Sequence, residues 1–471
     1  MHLLAAQPGT IDDGAEAVDL GQSAGDILYL CAADTELALL ADARDRLGNE
    51  FPTVRLANLM QLGHNMSVDL YVETMVRKAR AVIVRILGGR GYWPYGVDEI
   101  AAACAEAKIP VAFLPGDDQP DPELADLSTV STESYHRLWQ YGVHGGPDNA
   151  RELLSFAAHL AGFETAWQEP RPLVRAGLYW PGAATADMAL LKSHWKADRP
   201  VAAVVFYRAL VQAGNTAVVN ALVEALDRAG LNALPIFVAG LKDPIAAAVV
   251  SQALTEAPPD AILNATGFAL SAPGKARTET PFDAADCPVF QIVFSGGNER
   301  SWREGTRGLS AKDIAMNVAL PEVDGRIVTR AVSFKGLARR HTATQTDVVR
   351  YEPVADRIDF VAELAAAWAT LRRKASDKRR IAMVLANYPN KDGRIGNGVG
   401  LDTPAGMLVA LGAMKDAGYR IGDLPNDGNA LIERLLAGPT NQDPMRGADD
   451  ETLSMADYQI FFAQLSDAVR A

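Results

Sequence analysis

Cysteine and long apolar runs are scarce in this sequence of 471 residues. Its three cysteines, Cys31, Cys104 and Cys287, stand far apart without CxxC spacing, which argues against a disulfide framework or a zinc site and indicates buried thiols in a reducing compartment. No apolar run approaches the roughly 20 residues that span a bilayer, and the first residues lack the basic start and apolar core of a secretory signal. The sequence therefore predicts a cytoplasmic protein that does not enter membranes.

Motifs for common catalytic chemistry are also missing. The sequence contains no GxxxxGK[ST] or GxGxxG loop for nucleotides, no HExxH pair for zinc and no GxSxG serine elbow. Its seven histidines lack metal-ligand spacing; His136 and His144, for example, are separated by seven residues. We therefore expect this chain itself to bind no cofactor and no metal.

The formal net charge is −13, and the acidic excess lies in the first third of the chain. Such a surface repels nucleic acid and anionic lipid, and its simplest meaning is solubility. We expect no nucleic-acid partner.

Apolar, β-branched runs alternate with amphipathic stretches, which predicts an α/β fold of several consecutive Rossmann-like or flavodoxin-like units with parallel sheets. An acidic flavodoxin-like domain is predicted over residues 1–168. Its expected strands are 26–33, 53–59, 79–89 and 109–116, with helices at 35–47, 66–78 and 97–107.

A second Rossmann-like domain is predicted over residues 169–335, after a Pro-rich hinge. Its expected strands are 174–180, 200–207, 232–240, 261–268 and 289–297, and a helix is expected at 214–229, capped by Asn215 or Thr216 and ended by Gly230.

Two further segments follow. Residues 336–380 are predicted to form a basic helical connector. For the wider basic segment 331–380, an anion or partner site is the alternative. Residues 381–471 are predicted to begin a third α/β domain that is truncated, with a strand at 381–389 and a helix at 404–417.

Parallel sheets bind ligands at the carboxyl ends of their strands, so the loops there are candidate sites. The glycine-rich stretch 388–406 precedes a helix with Thr403 and Pro404 as expected N-cap and first residue. Lys391, Arg394 and Asn397 make it a candidate anion cradle; a mobile glycine loop is the alternative.

Aromatic and arginine side chains surround the glycines of RILGGRGYWPYG, residues 85–96. Flat rings and guanidinium groups suit a large planar anionic ligand, and packing of a helix start is the alternative. The candidate ligand-binding residues are Arg85, Arg90, Tyr92, Trp93 and Tyr95.

Two more strand ends carry candidates for substrate binding, Tyr207 with Arg208 and Asn298 with Trp302. His64 is a weak catalytic candidate, as a metal ligand or proton carrier, and capping of a helix is the alternative for it. No complete catalytic set emerges from these residues.

Five segments together resemble the large subunit of aerobic cobaltochelatase and, more distantly, the porphyrin-binding large subunit of magnesium chelatase. The resemblance runs nearly end to end. The segments are RILGGRGYWPYG (85–96), YGVHGGPDNARELL (141–154), VVFYRALVQAGNTAVVNALVEAL (204–226), SWREGTRGLSAKDIAMNVALPEVDGRI (301–327) and LANYPNKDGRIGNGVGLDTPAG (385–406).

The resemblance implies a tetrapyrrole-binding subunit that takes a corrin precursor, hydrogenobyrinic acid a,c-diamide, into which Co²⁺ is inserted during aerobic cobalamin biosynthesis. It also implies two partner subunits of AAA+ and integrin-I type, where ATP and Mg²⁺ bind. Nothing in the residue chemistry selects cobalt over magnesium, so a magnesium chelatase-type subunit is an alternative.

The resemblance also implies a longer protein, since a later segment of the type HGxxEWLPGK has no counterpart before Ala471. We therefore expect an N-terminal portion that is inactive alone. Two alternatives of other classes are a non-catalytic scaffold that docks the ATPase partners and a nucleotide-sugar transferase, although the transferase leaves the five matched segments unexplained.

Overall fold

The computed structural model of this chain describes residues 16–388, 390–447 and 452–470. It divides the chain into two compact units, Met1–Ala369 and Thr370–Ala471.

The first unit contains two sheets, and the first of these is four-stranded and entirely parallel, in the order β2-β1-β3-β4. All four strands are buried almost throughout, as expected for a parallel sheet covered on both faces. This order is that of a flavodoxin-like sheet, whose topological switch lies between β1 and β3. The strands are β1 (Ile27–Cys31), β2 (Val54–Asn58), β3 (Ala81–Ile86) and β4 (Val111–Pro115).

The second sheet has seven strands in the order β11-β10-β9-β8-β6-β7-β5. Its parallel part, β7-β6-β8-β9-β10, repeats the flavodoxin-like order, and the antiparallel strands β5 and β11 close its two edges. The strands are β5 (Ala176–Leu178), β6 (Val201–Tyr207), β7 (Asn232–Val238), β8 (Ala261–Asn264), β9 (Val289–Ser295), β10 (Ile327–His341) and β11 (Thr346–Pro353).

Helices cover both faces of each sheet, and a separate apolar cluster fills each face. The α/β class and the parallel sheets predicted from the sequence are therefore confirmed. The helices of this unit are α1 (Asp34–Arg46), α2 (Asn65–Thr74), α3 (Pro94–Ala107), α4 (Pro122–Asp126), α5 (Thr132–His144), α6 (Pro147–Leu160), α7 (Met188–His194), α8 (Arg208–Gln212), α9 (Ala217–Arg228), α10 (Pro244–Glu256), α11 (Glu299–Glu304), α12 (Ala311–Ile314), α13 (Leu320–Glu322) and α14 (Ala355–Arg373).

The helical connector predicted for residues 336–380 is wrong in its first part, which forms the end of β10 and all of β11. This hairpin packs on α1 of the first sheet: Arg339 and Arg350 bind Asp42, and Arg339 also lies 3.1 Å from Asp45. The basic residues that suggested a solvated helix thus neutralise an acidic helix. The same contacts join the two sheets in one unit; the domain boundaries at 168 and 335 stay predictions.

The second unit lacks the strand predicted at 381–389; of residues 381–388, only Asn387 forms a bridge, with Ile395, and Pro389 lies outside the described residues. The apolar run has no neighbouring strand to cover it, and Val384 is 92% exposed. The predicted helix at 404–417 is confirmed, although Asp402 rather than Thr403 caps it. The helices of this unit are α15 (Thr403–Asp416), α16 (Gly428–Leu436), α17 (Met455–Ala463) and α18 (Asp467–Arg470).

In the part of the chain that the structure describes, every helix is too short or too polar to cross a bilayer.

The three cysteines differ in accessibility, since Cys31 and Cys104 are buried and Cys287 is half-buried. Burial raises the pKa of Cys104 to about 12, and burial followed by the charge of Glu36 raises that of Cys31 well above its ordinary value. Because the thiolate is the reactive form, Ellman's reagent is expected to modify only Cys287 readily in the native chain and all three thiols in guanidinium. Rapid native reaction of Cys31 or Cys104 would contradict this burial.

Candidate functional site

A cleft of about 550 Å³ lies in the first unit, where the carboxyl ends of strands from both sheets meet. The first sheet contributes residues after β1, β3 and β4, and the second contributes residues after β6 and β7. The cleft thus adjoins the switch point of the first sheet, the position at which doubly wound folds bind ligands. Its volume falls within the roughly 300–1,000 Å³ typical of small-molecule sites.

One wall of the cleft is a closed polar network around Arg85 at the end of β3. The Nη1 atom of Arg85 lies 2.5 Å from Oε2 of Glu36, while its Nη2 and Nε donate to the carbonyls of Gly116 (2.8 Å) and Pro115 (3.2 Å). Tyr29 donates its hydroxyl hydrogen to Glu36. The positive charge of Arg85 is therefore neutralised inside the protein.

Burial, and then the negative charge of Glu36, raises the pKa of Tyr29 well above its usual range. The phenol consequently keeps its proton at neutral pH and serves as a fixed donor to Glu36. This wall holds its geometry without a ligand.

The opposite wall carries Arg208, at the end of β6, beside His144, at the end of α5. Arg208 is half-buried, and its Nε and Nη2 donate to the carbonyls of Val174 (2.9 Å) and Leu173 (2.8 Å). The backbone N–H of Leu173 in turn donates to Nδ1 of His144 at 3.4 Å. Burial, and to a smaller extent Arg208, lowers the pKa of His144, so its ring is neutral at pH 7.

The rim carries charges of both signs. Arg175 forms a 2.6 Å ion pair with Asp243, which also caps α10 through its side chain. Asp117 and Asp118 are exposed at the end of β4, and Asp118 attracts Arg208 electrostatically. Across the described ranges no three His, Cys, Asp or Glu side chains form a group that could hold a metal ion.

Of the residues predicted to bind substrate, the cleft brings together Arg85 and Arg208. The other members of the 85–96 cluster lie elsewhere. Trp93 is 6% exposed and donates its indole N–H to the carbonyl of Leu62, which favours the packing alternative; its predicted role in substrate binding stays a prediction.

Arg90 and Tyr95 are engaged on the surface. Arg90 pairs with Asp98 and Glu123, and Tyr95 donates to Asp69 at 2.7 Å, a bond that raises the pKa of its phenol to about 12. Neither side chain lines the cleft, and their role in substrate binding stays a prediction.

Three other candidates are held by local contacts. Tyr92 is partly exposed and lies 3.0 Å from Sδ of Met60, and Tyr207 donates to the carbonyl of Gly267 at 3.3 Å. His64 caps α2 by accepting the N–H of Met66 on Nδ1, which confirms the capping interpretation.

Asn298 and Trp302 follow β9. The side chain of Asn298 caps α11, and the indole of Trp302 packs 5.0 Å from the ring of Phe334, with the guanidinium of Arg357 4.6 Å above it. Both side chains therefore serve the local packing of the second sheet.

In the second unit, Lys391, Arg394 and Asn397 are exposed on the glycine-rich loop, where Gly396 and Gly400 adopt positive φ. Their role as an anion cradle stays a prediction.

Sequence reasoning missed His144 and Glu36 as cleft residues. His144 stands in YGVHGG, between glycines that let the chain turn away after α5, and this signal could have marked it. Glu36 lies on a helix, and only the fold shows that it faces Arg85.

Two flavodoxin-like sheets and a cleft between their strand ends define a doubly wound α/β protein with a candidate ligand site. The CobN/Magnesium Chelatase family model matches residues 139–471. The chain therefore belongs to this family, which confirms the resemblance read from the sequence.

Individual relatives agree with this assignment. The chain is 46% identical to the aerobic cobaltochelatase subunit CobN of a Sinorhizobium species and 44% identical to that of Pseudomonas aeruginosa, in both cases over its whole length, and it spans 37% and 38% of those proteins. The fold is similar to the catalytic subunit of cobaltochelatase from Mycobacterium tuberculosis, with a TM-score of 0.70, 30% identity and coverage of 94% of this chain and 35% of that one.

Proposed function

We propose that this chain is part of the tetrapyrrole-binding subunit of a cobaltochelatase, which inserts Co²⁺ into hydrogenobyrinic acid a,c-diamide in cobalamin biosynthesis. The observation that carries the proposal is identity of 46% and 44%, over the whole chain, to cobaltochelatase subunits of two bacteria. The cleft supports it, since it offers a preformed site where doubly wound sheets bind ligands.

The role of this portion within such a complex is binding and orientation of the macrocycle. Insertion exchanges Co²⁺ for two pyrrole N–H protons, so it needs a base, ligands that replace the water of the metal ion and a held macrocycle. The cleft places two arginines at fixed positions, Arg85 through its contacts with Glu36 and Gly116 and Arg208 through two backbone carbonyls. We propose that two ATPase partner subunits bind ATP and Mg²⁺ and supply the energy for insertion.

Titration of the purified chain with hydrogenobyrinic acid a,c-diamide is expected to change the visible absorption of the corrin saturably, because transfer from water into the cleft alters its surroundings. A porphyrin titrated in parallel tests the magnesium chelatase-type alternative. Stronger binding of the porphyrin would favour that alternative, and absence of any change at saturating protein would contradict corrin binding by this portion.

The scaffold alternative rested on the acidic first domain and the basic segment 331–380. Arg339 and Arg350 in that segment bind Asp42 and Asp45 within the same unit, so these charges give it less support than the sequence alone did. Capture of the ATPase subunits by this chain at low salt and not at high salt would favour it.

A further inference from the structure

One arginine that lines the cleft, Arg208, has no carboxylate of the described residues in contact with it. Of the three arginines that line it, Arg85 pairs with Glu36 and Arg175 with Asp243. Within residues 16–388 no carboxylate oxygen lies within 4.0 Å of the guanidinium of Arg208. Asp118, exposed on the rim, attracts this half-buried cation without contacting it. A half-buried cation that no carboxylate contacts is costly, and an anionic ligand in contact with it lowers that cost.

The guanidinium of Arg208 is oriented by the protein before any ligand arrives. Its Nε and one Nη2 hydrogen are committed to the carbonyls of Val174 and Leu173, which fixes the plane of the group. The two Nη1 hydrogens and the second Nη2 hydrogen remain for a ligand. A fixed fork of this kind suits the two oxygens of a carboxylate.

His144 adds a neutral donor beside this fork. Because its Nδ1 accepts the N–H of Leu173, the neutral ring carries its hydrogen on Nε2. In the described part of the chain no hydrogen bond uses Nε2 of His144, and the side chain lines the cleft. A group that carries hydrogen on Nε2 donates to an oxygen and does not bind a metal ion or accept a proton there.

We infer that Arg208 and His144 bind a free carboxylate arm of the ligand, so that the cleft distinguishes acid arms from amide arms. The inference rests on the proposed function, in which the ligand is a corrin whose name records both acid and amide groups. The carboxylate accepts two hydrogen bonds from the guanidinium of Arg208 and a third from Nε2 of His144. A primary amide at the same place offers one acceptor oxygen where the carboxylate offers two, so at least one of these donors faces its N–H₂ group. The amide also brings no negative charge to the guanidinium.

Affinities of the chain for hydrogenobyrinic acid a,c-diamide, and for the same corrin with every arm amidated, test this inference. Arg208→Gln is expected to weaken binding of the acid form on the order of tenfold to a hundredfold, the effect of removing a charge-assisted hydrogen bond, and to leave binding of the amidated form unchanged. Arg208→Lys keeps the charge and loses the planar pair of donors. Its affinity for the acid form is expected to lie between those of the unsubstituted chain and Arg208→Gln. His144→Gln places an amide nitrogen near the position of Nε2 and is expected to bind better than His144→Asn.

Arg77→Gln is the matched control, because Arg77 is exposed and pairs with Glu73 and Glu106 away from the cleft. Thermal unfolding of each variant separates loss of binding from loss of folding. Equal affinity of Arg208→Gln and the unsubstituted chain for the acid form would overturn the inference and leave the proposed function standing.

Failure of both corrins to bind would count against the proposed function and not against the inference. Citrate, a small tricarboxylate, tests the inference in that case. Citrate is expected to shift the imidazole ¹H and ¹⁵N resonances of His144 in the unsubstituted chain and not in Arg208→Gln. An imidazole signal that citrate leaves unmoved in the unsubstituted chain would overturn carboxylate binding at this site.

Discussion

Arg85→Met is expected to lower the free energy of unfolding by about 3–5 kcal/mol, because it leaves the carboxylate of Glu36 buried with Tyr29 as its remaining partner in the cleft wall. The side chains of Arg85 and Glu36 are 7% and 14% exposed, so water replaces the lost partner poorly. Urea denaturation of the full chain, with hydrogen exchange of the β1 and β3 amides to locate the loss, measures the effect.

The double variant Arg85→Met with Glu36→Gln provides the control for this prediction. Removing both charges is expected to recover part of the stability, since the buried carboxylate is then gone as well. Arg77→Gln, which breaks an exposed ion pair, is expected to change stability little. A small loss in Arg85→Met, equal to that of Arg77→Gln, would show that water reaches Glu36 freely.

Local patterns sufficed for β1 to β4 and β6 to β9 because each of these parallel strands is a short, largely apolar run. The expected strands at 26–33 and 200–207 contain β1 and β6, and the structure trims them at the ends. The sequence could not predict the β10–β11 hairpin in the same way, because β10 buries polar side chains. Ser333 and Lys335 are buried, and Nζ of Lys335 lies 3.3 Å from the carboxylate of Asp34, at the start of α1.

The opposite error arose at residues 381–389, where an apolar run predicted a strand that did not form. A strand needs a neighbour for its backbone hydrogen bonds and a layer to cover its side chains. Val384 and Tyr388 are 92% and 80% exposed, so the described residues of the second unit provide neither for them.

The location of the candidate site could be predicted from the sequence, but most of the residues that line it could not. The rule that ligands bind at strand ends selected Arg85 and Arg208, and both line the cleft. It also selected Trp93, because composition does not reveal that Gly96 leaves space on α3 for the indole; a Cβ at Gly96 would lie 2.0 Å from the ring. Long-range contacts decide which side chains of a loop face the cleft.

A buried polar network in the second sheet escaped sequence analysis altogether. Asn264 and Gln291 are fully buried on neighbouring strands, 2.8 Å apart, and Arg326 donates to the carbonyl of Thr266 beside them. Each residue taken alone reads as an ordinary polar interruption of a strand. The carbonyl of Thr266 accepts from Asn264, Gln291 and Arg326 alike. Arg326 is 35 residues beyond Gln291, so no local pattern connects them.

Asp324→Asn is expected to destabilise the second sheet by about 3–5 kcal/mol, because Asp324 balances the buried charge of Arg326. Both side chains are 1% exposed, with 3.0 Å between Nη2 and Oδ2. Asp324 also accepts the backbone N–H groups of Leu270 and Ser271, at 2.9 and 3.0 Å. An asparagine amide replaces one acceptor by a donor that faces another donor. Urea denaturation with hydrogen exchange of β8 and β10 measures the loss.

The pH dependence of the stability lost in Asp324→Asn shows how much of that loss is electrostatic. Burial alone would raise the pKa of Asp324, but the hydrogen bonds from Leu270 and Ser271, together with Arg326, outweigh it and hold the pKa below its ordinary value. A depressed pKa stabilises the fold fully above the unfolded-state value, about 3.9, and the contribution disappears as the pH falls through the folded-state value. The stability difference between the native chain and Asp324→Asn should therefore shrink in acid. A difference that stays constant from neutral pH into acid would mean that the geometry of the loop, and not the charge of Asp324, sets its contribution.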